Sequence, residues 1–91
     1  RWCAADTTVE VSIDVQKSHA TNIAAQLVAI GGEVSGIPAD VTDTADANTN
    51  VQTLTVSVTP TAVGYVRFEL RVWSVASTGY VDLDTLTVEE V

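Results

Sequence analysis

The chain has 91 residues, with 12 acidic against 4 basic side chains and a formal net charge of −8. That length allows one domain, residues 1–91, which buries about 60–65% of the surface its unfolded chain would expose. Partners that need a cationic surface, nucleic acid and anionic membrane alike, are argued against, since Arg1, Lys17, Arg67 and Arg71 are the only strong cations.

Val and Thr dominate the composition, and β-branched side chains suit a pleated, half-buried surface. No apolar run approaches the roughly 20 residues of a spanning helix. The chain opens Arg1-Trp2-Cys3 and contains no Met, which reads as a processed product or part of a longer chain. On that reading Trp2 and Cys3 continue a strand begun upstream. Cys3 is the only cysteine, so no internal disulfide can form. A lone Cys is most often a small buried apolar residue; a reactive thiol and an intermolecular bridge are the alternatives.

Residues 7–16 alternate without a break, with Val9, Val11, Ile13 and Val15 on one face and Glu10, Ser12, Asp14 and Gln16 on the other. This predicts a strand with one buried face. Residues 17–22 read as a turn. Residues 23–30 are apolar on both faces and end at Gly31-Gly32; a short helix is the alternative, but the neighbours favour a strand packed on both sides. From Glu33 to Asn50 the composition is that of a loop, with a short edge strand over Val34–Ile37. Loops of this length in small domains are usually functional or ordered by a neighbour.

Residues 52–58 return to alternation, with Leu54, Val56 and Val58 inward, and Pro60 stops the run. Residues 66–73 follow, with Val66, Phe68, Leu70 and Val72 inward. The short connection predicts that these two strands pair or lie close together. In the last strand Val81 and Leu83 have one parity while Leu86 and Val88 have the other. Both sets can be inward only across a β-bulge, predicted at Asp84-Thr85. Five main strands and one or two short ones predict an all-β, antiparallel β-sandwich.

Three segments carry a resemblance: Leu54-Thr55-Val56-Ser57-Val58-Thr59-Pro60-Thr61, then Gly64-Tyr65-Val66-Arg67-Phe68-Glu69-Leu70-Arg71-Val72, then residues 79–88, Gly-Tyr-Val-Asp-Leu-Asp-Thr-Leu-Thr-Val. Their order resembles the C-terminal half of jelly-roll domains found in carbohydrate-binding modules and in phage tail and virion proteins. The resemblance covers roughly residues 7–88. It departs in that the family's paired acids are split, as Asp82-Leu83-Asp84, and its opening strands are lacking or reduced to Arg1–Ala5. It implies a jelly-roll-like sandwich and, through a last-strand acid that helps hold structural calcium in several such modules, Asp82 as a calcium ligand.

Catalysis is not expected. His19 is the only His, no Cys/His metal spacing exists, and the paired carboxylates are those any protein of this charge would carry. Asp40, Asp43 and Asp46 recur at spacing three in the oxygen-rich loop. They are candidate calcium ligands, with a solvated acidic loop as the alternative; no other cofactor is expected. Arg67, Glu69, Arg71 and Trp73 share one strand face. Arg and Trp are favoured at interface hot spots, and an exposed Trp can stack on a sugar; the alternative is a salt-bridge ladder with Trp73 covering the sandwich end. Tyr65 and Tyr80 read as end caps.

The function expected is a non-catalytic structural or interaction domain of a virus or phage particle. Capsid decoration, tail and fibre modules all fit, as does homo-oligomeric assembly with other virion or surface subunits, in a virion or extracellular setting. The alternatives are a carbohydrate-binding module of a secreted protein and a bacterial matrix or surface-layer domain.

Overall fold

The computed structural model describes residues 1–32, 36–75 and 78–91. It is all-β: β1 (Trp2–Cys3), β2 (Val9–Lys17), β3 (Ile23–Ala29), β4 (Val41–Thr44), β5 (Gln52–Val58), β6 (Gly64–Tyr65), β7 (Phe68–Ser74) and β8 (Val81–Glu90). Two three-stranded sheets, ordered β5-β2-β8 and β4-β3-β7, form the sandwich, and β1 pairs with β6 beside it. Every strand pairing is antiparallel.

The alternation of β2 explains the core. Val9, Val11, Ile13 and Val15 point inward and meet Leu54, Val56 and Val58 of β5 and Ala25, Leu27 and Ala29 of β3. β3 is a strand, and Val28 on its other face is buried too. Cys3 is a buried, free thiol packed in the same core. Lys17 is the last residue of β2 rather than part of the turn. Its position points inward and its side chain is buried, with Nζ donating to the Ala20 carbonyl at 3.1 Å.

The predicted bulge is present. Ser12 faces Thr87 and Asp14 faces Asp84, so β8 spends one residue more than β2 over this interval. Thr85 takes it up at φ +48°, and its N–H donates to Asp84 Oδ1 at 2.8 Å. The parity change turns Val81, Leu83, Leu86 and Val88 all to the inner face of the sheet.

Two expectations need correction. The segment 33–50 is not wholly loop: Val41–Thr44 forms β4, pairing with β3. Its alternation of Thr and Asp with one Val hides a strand that is short and lies at a sheet edge. The predicted edge strand at Val34–Ile37 falls largely outside the described residues; within them, Ile37 makes a single bridge with Gly32. Nor do β5 and β7 pair. β5 joins β2 and β7 joins β3, in different sheets. The 59–67 connection, which includes β6, crosses from one sheet to the other, as connections do in a sandwich with Greek-key winding.

β4 packs against β5, and β3 against β2 and β5, so β7 and β8 share the opposite flank. The order in which these six strands change sheets is that of the last six strands of an eight-stranded jelly roll. The two opening strands of that pattern would lie beside β8 and β7. The described strands form a narrow body, 42 × 22 × 16 Å. Its radius of gyration of 14.2 Å exceeds the about 12 Å typical of a compact chain this long.

The outer face of the β5-β2-β8 sheet sets like charges opposite each other, Glu10 against Glu89 and Asp14 against Asp84, an arrangement that destabilises. Replacing Glu10→Lys turns one such pair into an attractive one. It is expected to raise stability by about 0.5 kcal/mol, or roughly 2–4 °C in Tm. The gain should shrink as salt is added; thermal melts at low and high salt check both.

Candidate functional site

The two flanks of the sandwich differ. On the β4/β5 flank, side chains bridge the sheets: Asp43 Oδ2 accepts from the backbone N–H of Thr55 at 2.8 Å. Gln52 Oε1 accepts from Asp46 N–H at 2.6 Å, while its Nε2 donates to the Asp46 carbonyl at 3.1 Å. These bonds occupy edge groups and draw the layers together.

On the other flank, among the described residues, β8 and β7 each pair with one strand only, and between them the sandwich gapes. Leu83, Leu86 and Val88 point to the inner face yet remain 51%, 66% and 45% exposed. They form one wall of a mostly apolar groove of about 330 Å³. Phe68 and Leu70 of β7 form the other wall, and Val11, Ile13 and Leu27 the floor. Arg1 stands at the rim. Its ammonium donates to the Val66 carbonyl at 2.8 Å and its guanidinium pairs with Glu90 at 3.1 Å. Continuous exposed apolar surface beside unpaired strand edges marks an interaction site more often than a chance patch.

Sequence reading placed Leu83, Leu86 and Val88 correctly inward but counted them as core. The signal that would have corrected this is strand number. A strand at the edge of a sheet, as β8 is, needs another strand beside it to cover its inward side chains, and no predicted strand remained to supply one.

The Arg-Glu-Arg-Trp stripe is brought together as predicted, on the outer face of the β4-β3-β7 sheet. Glu69 sits between two cations, with Arg67 bonded to its Oε1 and Arg71 Nε donating to Oε2 at 3.1 Å. The Arg67 hydrogen bond first, then that of Arg71, hold the Glu69 carboxyl below its ordinary value of 4.5, so it is charged at neutral pH. Trp73 lies beyond them opposite Ala24 and is half exposed. The ladder is therefore present, with Trp73 standing on the sheet face.

The four candidate calcium ligands are not gathered. Asp40 Oδ1 accepts from Gly31 N–H at 2.8 Å, and Asp43 serves the Thr55 edge. Asp46 uses its backbone to hold Gln52, and Asp82 lies on β8 at the other flank. Among the described residues, no group of three or more His, Cys, Asp or Glu side chains is placed to share a metal ion. His19 is on an exposed turn, where Nδ1 lies 2.8 Å from Ser18 Oγ. Ser18 Oγ also accepts from Tyr80 N–H at 2.9 Å, tying this turn to the start of β8. Tyr65 packs edge-on against Trp2, with ring centroids 5.1 Å apart at 75°, and both rings remain largely exposed. No helix is long and apolar enough to cross a membrane among the described residues.

Fold and site together define an antiparallel β-sandwich of two three-stranded sheets, closed along one flank and open along the other. No protein-family model matches the chain, and neither the curated proteins nor the solved structures contain a match to it.

Proposed function

We propose that this chain is a non-catalytic structural domain that works by protein–protein assembly, as a decoration, tail or fibre component of a virus or phage particle. The observation that carries the assembly part is the open flank. Three large aliphatic side chains of β8 point into the sandwich yet stay largely uncovered, because among the described residues no strand lies beside the outer edge of β8. Leaving that surface wet forgoes about 25 cal/mol per Å² of apolar area, which a neighbouring protein surface would recover. The virion setting rests on the resemblance of residues 7–88 to jelly-roll domains of phage and virion proteins.

Light scattering of the purified chain over a concentration series, with and without calcium, tests the assembly. A discrete oligomer that grows in population with concentration is the expected result. A monomer at every concentration would sink assembly through self-contact.

The second reading, a carbohydrate-binding module, is favoured by one feature. Trp73 is half exposed on a sheet face beside Arg71 and Glu69, where a sugar ring could stack and hydrogen-bond. Quenching of Trp fluorescence by a glycan, lost in Trp73→Ala, would support it over the first.

A further inference from the structure

We propose that the open flank is closed by a second copy of this chain, in a two-fold dimer in which β8 of each copy pairs antiparallel with β7 of the other. The proposal deepens the assembly reading and rests on it. Both unpaired edges lie on one flank, one in each sheet, and their strands run in opposite senses. Indeed β7 ends and β8 begins at one end of the sandwich, where Val75 N–H donates to the Asn22 carbonyl and Ser18 N–H to that of Tyr80. A two-fold axis parallel to the strands, midway between the sheets, therefore sets β8 of one copy beside β7 of the other, and the reverse, in the same act. Each three-stranded sheet becomes a six-stranded one. The contact is isologous and closed, leaving neither edge free at the junction.

Charge selects this pairing over the other edge-to-edge arrangements. The outward positions of β8 carry Asp82, Asp84 and Glu89 without a cation. On the corresponding face of β7 and its approach, Arg67 and Arg71 outnumber Glu69. Pairing β8 with β8 of a second copy sets acids against acids, and pairing β7 with β7 sets cations against cations. Pairing β8 with β7 sets opposite charges side by side, which favours association. The inner faces agree: Leu83, Leu86 and Val88 of one copy meet Phe68, Leu70 and Val72 of the other, and the two grooves merge into one core. Because each copy carries a charge of −8, long-range repulsion opposes the contact at low salt and is screened near physiological ionic strength.

Two double variants test it, Arg67→Glu/Arg71→Glu and Asp82→Lys/Glu89→Lys, each checked for folding by far-UV circular dichroism. Either variant alone sets like charges together at both junctions, and its dimer Kd is expected to weaken tenfold or more at 0.15 M salt. Mixed, the two restore opposite charges at both junctions, so a heterodimer should form within about threefold of the wild-type Kd, scored by native mass spectrometry. A variant that dimerises as tightly as wild type, or a mixture that stays monomeric, would overturn the proposal. If wild type still forms an oligomer in that case, assembly survives and only this interface is wrong. If wild type is monomeric throughout, this dimer and assembly through self-contact both fall.

Discussion

Replacing Leu54→Ala should cost about 3 kcal/mol of folding stability. Leu54 is 2% exposed, lies opposite Ile13 on the central strand, and belongs to the closed half of the sandwich. Truncation there leaves a void that the bridged β4/β5 flank cannot collapse to fill. A domain of this length has about 5–14 kcal/mol in all, so the loss is a large share. Urea unfolding followed by circular dichroism should show the midpoint fall with the slope unchanged. Leu86→Ala is the contrast. Leu86 is inward by parity but exposed on the open flank, and for the isolated chain its truncation should cost under about 1 kcal/mol. Equal losses at the two sites would contradict the open groove.

Deleting Thr85 should cost about 2–4 kcal/mol, from the aliphatic surface returned to water when half a strand turns over. With the extra residue gone, β8 can keep its register with β2 on one side of the gap only. Either Val81 and Leu83 or Leu86 and Val88 must rotate to the acidic outer face, and Asp82 and Asp84 or Thr87 and Glu89 must turn inward. Amide exchange would show one half of β8 losing protection while the other keeps it. Thr85→Gly keeps the residue count and removes the side chain from a positive φ. It should stay within about 1 kcal/mol of wild type, on either side, as eased strain offsets greater unfolded-state entropy. If the deletion proved as mild as the Gly substitution, the bulge would not be what sets the register.

The bulge was readable because alternation in β8 changes parity within a single run, and no regular strand can turn Val81 and Val88 the same way without an added residue. β2 and β5 were equally plain, since each has one buried face. β4 was not. It is four residues at an edge, and although its burial alternates, the half-buried positions are Val41 and Asp43, so no apolar alternation shows in the sequence. The role of Asp43 was hidden for a related reason. Its carboxylate meets the Thr55 N–H across two sheets, twelve residues away in sequence, and nothing local distinguishes it from its solvated neighbours. The salt-bridge stripe was legible because Arg67, Glu69 and Arg71 share a face at spacing two whatever the sheet does.

By itself, the sequence determined that the chain is all-β, which face of each long strand is apolar, where β8 carries its extra residue, and that Arg67, Glu69 and Arg71 stand together. These follow from backbone period and side-chain shape, which act within a few residues. Which strand lies beside which, and so which apolar faces are covered, depended on tertiary structure. Short sheet-to-sheet crossings separate β5 from β7 and leave β7 and β8 as edges of one flank, because packing β2 on β3 occupies both central positions. Whether Leu86 is core or contact surface is settled only there, by the presence or absence of a strand beside β8 on its outer edge.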